Sequence, residues 1–448
     1  MSSWLNQAYA REWFVTPRVS SQLIFDTNYR LRSNRDIEDK LDTIRNEART
    51  IKPKDTIGGR LSAGAIVGSE TENSDIHIRG NVDFNRFTID NFNSTNVFLY
   101  PEAWFTVSPR DKLGISGKLF LDTTLAQENL SAAQVADDTG NSPDRTADLF
   151  GIPKRRFMKS IKPEWNHSLT EKTSLNLSYE FTDVTYEDAL KRRRLQDSDL
   201  QDPQDSGRTD YSMHTGQLHL SHQLFHNTLV FSNASVTYFS TPETRSSTTY
   251  YSLQAGIQHK FSERWEAEIV AGGRYSVSDS TTERQDVVRD TNNIPILDAS
   301  GKPILRRFDV KDNSSGLGSL ANASITHHYE TGSLTASIAQ DIRPTGNGDL
   351  QTSNEVEFIW DYKLSEHLNF NLPISALRAS AINSESNRLD RTYYQAAPAL
   401  SWMLTPEFSL TLSYRYRYQK YDDIENSADS HNAMLSASYQ WQRQSISR

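Results

Sequence analysis

Histidine, aspartate and serine are the residue types in this chain that could ligate a metal or carry a nucleophilic reaction, and their spacing decides whether they do. His214, His219 and His222 fall in one alternating run, and His327 stands beside His328. On an extended strand an odd spacing changes face, so His214 and His222 share a side that excludes His219. Eight residues of strand hold those two too far apart to chelate one ion. The stretch QDSDLQDPQDSGRTD gathers Asp197, Asp199, Asp202, Asp205 and Asp210. Oxygen ligands of this kind hold calcium, but the spacing is not that of an EF-hand, and the stretch reads as a solvated acidic loop. Serines are abundant, yet no Ser–His pair stands out. With no cysteine, the chain has no thiolate metal site, disulfide framework or haem-attachment motif. The sequence therefore predicts no enzyme, no metal and no cofactor, and leaves charge as the chemistry to be placed.

The elements that must place it are strands. From Arg391 to Trp441 three runs alternate apolar and polar residues. In the middle run Phe408, Leu410, Leu412, Tyr414, Tyr416 and Tyr418 hold one parity, and Ser409, Thr411, Ser413, Arg415 and Arg417 hold the other. The last run closes on Trp441, an aromatic end resembling the terminal strand of outer-membrane barrels, with seven further residues, Gln442 to Arg448, after it. Similar runs recur back to Arg18–Arg30, about eighteen in all, as tilted membrane strands would.

Their connections fall into two alternating classes. Turns such as SPRD, TEKT, FHN, SER and TPE are short, whereas 32–56, 126–154, 187–209 and 279–315 are long and polar. Short turns belong to the periplasmic side of an outer-membrane barrel and long loops to the outside, so both termini are expected in the periplasm. Trp104, Trp165, Trp265, Trp360, Trp402 and Trp441 lie near the short turns. Tyr29, Tyr186, Tyr211, Tyr238, Tyr275, Tyr394 and Tyr418 lie toward the long loops, and the two sets read as interfacial girdles.

Composition agrees. Hydrophobic residues are 36% of the 448 and mean hydropathy is -0.65, too low for helical membrane spans, while 10% aromatic content is too high for disorder. Only one face of a barrel strand meets lipid, which reconciles the two. The opening MSSWLNQAYAREWF has no basic segment followed by an apolar core, so no signal peptide is read there and a mature or re-engineered form is expected. A net charge of -9 argues against a nucleic-acid partner. The organisation expected is an N-terminal periplasmic segment over 1–17, an all-β transmembrane barrel over 18–441 and a C-terminal extension over 442–448. Within the first long loop a helix over 36–49 would set Ile37, Leu41, Ile44 and Ala48 on one face, where it would either plug the lumen or lie on the rim.

Giving the more apolar parity to lipid turns Arg18, Arg30, Arg60, Arg79, Lys112, Lys118, Arg156, Lys162, Arg415 and Arg417 inward. These lie on the first six strands and the last two, which become neighbours when the barrel closes. Glu266, Glu268, Asp341, Glu355, Glu357 and Asp361 turn inward opposite them. A basic wall facing an acidic wall would orient a charged, hydrated chain. Asp26, Asp83 and Asp122 among the basic residues point instead to local pairing. Tyr100, Trp104, Tyr250 and Tyr393 on the inward parity offer ring faces for sugars, in competition with a girdle role.

The segments FDTNYRL, SLNLSYEFTDVTYED, DRTYYQAAPALSWMLTPEFSLTLSYRYRYQKYDD and ADSHNAMLSASYQW together resemble the β-barrel porin 2 family, which includes EpsL-type barrels encoded with exopolysaccharide export systems. The resemblance implies passage of a polysaccharide through the outer membrane, with a periplasmic polysaccharide-export protein and outer-membrane lipid as partners, and no catalytic residues. No strand is marked for burial against a neighbour, so a monomer is expected. Other readings are a diffusion porin for small polar solutes, an outer-membrane hydrolase, and a barrel sheath around an electron-transfer partner.

Overall fold

The computed structural model describes residues 11–29, 31, 55–89, 92–123, 155–187, 210–242, 245–288, 295–296, 304–344, 350–381, 391–421 and 427–447. Its elements are all strands: β1 (Glu12–Asp26), β2 (Thr56–Thr71), β3 (Ser74–Phe87), β4 (Ser94–Ser108), β5 (Asp111–Thr123), β6 (Arg155–Thr170), β7 (Thr173–Glu187), β8 (Tyr211–Phe225), β9 (Thr228–Thr241) and β10 (Ser246–Lys260). They continue as β11 (Trp265–Val287), β12 (Leu305–Tyr329), β13 (Gly332–Pro344), β14 (Leu350–Lys363), β15 (Leu368–Ala381), β16 (Arg391–Ala396), β17 (Ala399–Met403), β18 (Phe408–Tyr421), β19 (Ser427–Gln440) and β20 (Gln444–Ser447).

Consecutive strands pair antiparallel, and β1 pairs with both β2 and β19, so the sheet closes and has no free edge. β16 and β17 each lie between β15 and β18 and form one stave, interrupted at Ala397–Pro398 where proline has no N–H to give the ladder. β20 continues β19, since β19 lies along Arg18–Asp26 and β20 along Glu12–Val15. The twenty elements thus make eighteen staves, an all-β transmembrane barrel. At a strand spacing of about 4.8 Å and a tilt of about 40°, eighteen staves enclose a backbone diameter of roughly 35 Å.

Two expected boundaries move. The barrel takes in residues 12–17 and 444–447, which the sequence assigns to the N-terminal segment and the C-terminal extension. Pro17 has no N–H to give the ladder, and its neighbour across the seam is interrupted at the same level. Only the Pro17 carbonyl is used there, accepting from the Trp441 amide at 3.1 Å. The expected loop 279–315 is mostly strand, because β11 and β12 stay paired from Asp279↔Asn313 to Val287↔Leu305. Seven residues of this ribbon, Thr281–Val287, run about 23 Å past the end of β10. Its β11 half reads DSTTERQDV, almost wholly polar, so it carries no hydropathy alternation to read. Arg30, the helix over 36–49 with Ile37, Leu41 and Ile44, and the acidic stretch up to residue 209 lie outside the described residues.

The outer face is apolar. Leu23, Leu61, Leu253, Ile269, Ile338, Val356, Leu412 and Leu435 are all about half exposed or more there, and the partners on either side repeat the parity. This is what a lipid-facing wall requires, since water-facing β proteins bury such side chains. Trp13, Trp165, Trp265, Trp360, Trp402 and Trp441 stand exposed on it at the short-turn end, and Tyr238, Tyr251, Tyr394 and Tyr414 toward the other end. Four girdle placements are corrected. Trp104 shares the parity of the inward residues and packs across Gly114, while Tyr186 and Tyr211 share the inward parity and Tyr29 is buried. A closed barrel with an apolar belt and aromatic girdles is the outer-membrane architecture, and the chain is an integral outer-membrane protein with its described ends at the short-turn, periplasmic side.

Candidate functional site: the barrel lumen

Registers fix which side chains share the lumen. From Arg18 the inward row runs through Gly64 and Asn81, and every described member of the expected walls falls on that same face. β3 and β12 are nine staves apart around the eighteen, so the basic and acidic residues occupy opposite sides of the bore.

The acidic side is open. Glu266 and Glu268 on β11, Asp341 on β13, and Glu355, Glu357 and Asp361 on β14 are all at least partly exposed. Glu266 takes a hydrogen bond from Gln258 and lies 3.7 Å from Lys260, and Asp361 accepts from Asn371 Nδ2 at 2.6 Å. Arg274, also inward on β11, donates to Thr352 Oγ1 at 3.0 Å and puts a cation among them. The parity of Glu266 and Glu268 places Arg274 inward too, so the sequence carries the signal for this cation.

The basic side is more mixed than a uniform wall. Lys162 sits 2.8 Å from Glu164, and Lys118 lies 3.9 Å from Glu180. Glu102, Glu164 and Glu180 turn inward by the same register, and the strand parity that places Lys112 and Lys162 places them as well. Arg60 donates through Nε to Asn85 at 2.8 Å. The Arg79 guanidinium lies 5.2 Å from the Tyr100 ring and the Lys112 ammonium 4.6 Å from the Trp104 ring. A ring attracts a cation without cancelling its charge. Arg18, Arg60, Arg79, Lys112, Lys118 and Lys162 all keep some exposure.

Three of the expected basic-wall residues are not pathway surface. Arg156, Arg415 and Arg417 are only 4%, 1% and 2% exposed. Arg156 grips Asp122 with two hydrogen bonds, Nε to Oδ1 at 3.0 Å and Nη2 to Oδ2 at 2.9 Å. Arg417 Nη2 lies 3.0 Å from Asp26 Oδ2, and the same carboxylate accepts from Ser430 Oγ at 2.7 Å, Asn432 Nδ2 at 2.8 Å and the Asn28 amide at 2.8 Å. These bonds tie β18, β19 and β1 across the closing seam.

The seam also holds the segment that follows β1. Arg417 donates to the Tyr29 carbonyl at 3.2 Å, and Asn28 Nδ2 donates to the Asp429 carbonyl at 3.0 Å. Thr27–Tyr29 is thereby turned inward. Tyr29 packs on Ile24, Phe87 and Phe92, and burial pushes its phenol up to about 12. Leu31, at φ 50, packs on Leu377, Tyr393 and Ala428. A leucine at positive φ is unusual and is held there by that packing. Two apolar clusters therefore occupy the outer end of the lumen, one on each side of this segment. Of the rings proposed for sugars, Tyr393 is built into the second cluster and bonds Gln395, whereas Tyr100 and Trp104 remain partly exposed. His214 and His222 face outward, hydrogen-bonded to Tyr179 at 2.7 Å and Thr173 at 2.9 Å.

No protein-family model and no curated protein sequence matches this chain, so the resemblance to the β-barrel porin 2 family has no matching model beside it. Among solved structures, the chain is similar to Acinetobacter baumannii OccAB4 (9% identity, 98% of this chain and 100% of that chain, TM-score 0.45). It is also similar to the outer membrane channel DcaP of Acinetobacter baumannii (13%, 98% and 100%, 0.44) and to Pseudomonas aeruginosa OpdK with vanillate (10%, 96% and 99%, 0.44).

Proposed function

We propose that this barrel is a porin-like channel through which an exopolysaccharide crosses the outer membrane, delivered by a periplasmic polysaccharide-export protein. The observation that carries it is the lumen itself. An eighteen-stave bore presents accessible carboxylates on one side and cations on the other, a surface that keeps a hydrated, charged chain solvated and aligned. No covalent step is required of it, and the single chain supplies a complete bore, so a monomer suffices. The inward segment around Tyr29 and Leu31 favours a gated route over a permanently open diffusion pore for small solutes.

Deleting the gene and quantifying surface polymer tests the proposal. Loss of the polymer, restored by re-expression, is expected, and normal polymer in the deletion strain would refute it. In planar bilayers the same barrel is expected to show low basal conductance, whereas a stable large conductance for wild type supports the diffusion-porin alternative.

A further inference from the structure

The lipid-facing wall carries a trough that the lumen does not explain. Outward side chains of β3 to β7 stack in register rows, and one row reads Ile78, Pro101, Gly117, Ile161, Phe181. At its middle stand a proline and a glycine, while the row above has Leu99 and Leu119 and the row below has Ile76 and Ile115. Pro101 and Gly117 touch across the strand boundary, since a Cβ added to Gly117 would lie 3.1 Å from the Pro101 ring. The result is an apolar depression of about 490 Å³, lined among others by Ile78, Ala103, Ile115, Leu119 and Phe181. It crosses five strands, four spacings of about 4.8 Å, and so extends for roughly 19 Å.

Above its β6–β7 end, toward the long loops, sit two charges on the lipid side. Lys159 Nζ lies 2.9 Å from Asp183 Oδ2, and their side chains are 46% and 28% exposed. Arg155 follows four residues further toward the outer end on the same face. Charged side chains in contact with lipid are costly unless something polar meets them. A neighbouring cation and carboxylate match a headgroup that offers both an anionic phosphate and sugar hydroxyls. The trough beneath matches one extended acyl chain.

We propose that this trough binds a phosphorylated, acylated sugar lipid of the outer leaflet. One acyl chain lies across Pro101 and Gly117, a phosphate meets Lys159 and Arg155, and a sugar hydroxyl donates to Asp183. The site is independent of the lumen and of what crosses it.

Purified barrel in nanodiscs of phosphatidylcholine containing lipid A, then transferred to mild detergent for native mass spectrometry, tests it. Wild type is expected to retain one lipid A. Ala103→Phe, which fills the trough, and Lys159→Ala, which removes the cation, are each expected to lower retention about tenfold, the equivalent of 1.4 kcal/mol. Both must show the wild-type shift in electrophoretic mobility on heating, so that folding is controlled. Equal retention by wild type and both variants overturns the proposal. So does a dimer or trimer of wild type that Ala103→Phe dissolves, because the trough would then be a contact between copies of this chain.

Discussion

The Asp26–Arg417 pair is where the fold makes its most exacting demand. Both groups are essentially sealed from solvent, at 0% and 2% exposure, and the carboxylate accepts four hydrogen bonds, three from side chains of two staves and one from a backbone amide. Removing one partner strands the other as a buried charge, at a cost of about 3 to 5 kcal/mol, or roughly 100- to 4000-fold in the folding equilibrium. Arg417→Met and Asp26→Asn should each pay this alone. Combined, they should lose much less than the sum, since neither charge is then left unmatched. Urea unfolding of the refolded barrel in lipid vesicles, followed by tryptophan fluorescence, measures the cycle. Because Arg417 also holds the Tyr29 carbonyl, Arg417→Met should raise single-channel conductance as Thr27–Tyr29 is released from the lumen. Single substitutions costing under about 1 kcal/mol, with additive behaviour in the double, would refute the reasoning.

Other consequences are quicker to check. Glu355→Gln with Glu357→Gln removes two accessible carboxylates from one wall and should shift the reversal potential in a salt gradient toward anion preference. Gly58→Leu should destabilise by about 1 to 3 kcal/mol in the same unfolding assay, because the Phe87 ring lies where the new side chain must go. Arg443 bridges Glu12 and Glu70 from a side chain 40% exposed, so Arg443→Ala should cost under about 1 kcal/mol, whereas truncation before Gln444, which removes ladder bonds to β1, should cost more. Burial favours the neutral phenol of Tyr29, so the folded state binds the extra proton and this residue's share of stability should decline as pH rises from 10 to about 12. The Tyr29→Phe variant should lack that share of the decline in alkaline unfolding curves.

Strand parity was readable because lipid on one side and a polar bore on the other impose period two over whole strands, as Phe408–Tyr421 illustrates. That same parity placed Glu355, Glu357 and Lys112 on the lumen face without a structure. It could not separate accessible cations from buried ones. Arg417 and Arg79 look alike along the strand, and only the return of Asn28 and Tyr29 into the bore seals the first. The β11–β12 ribbon is not legible in this way, since DSTTERQDV over 279–287 is almost wholly polar and leaves no pattern to follow. Trp104 shows the limit of position alone: its nearness to a short turn suggests a girdle, while its parity turns it onto Gly114.

Passage of polymer through the lumen can be tested by blocking the bore from within. The chain has no cysteine, so Glu357→Cys introduces one thiol, on the open acidic wall. Cells carrying this variant should export polymer normally until treated with a bulky polymeric maleimide, after which surface polymer should fall to the level of the deletion strain. Undiminished export from fully labelled barrels would contradict transport through this lumen.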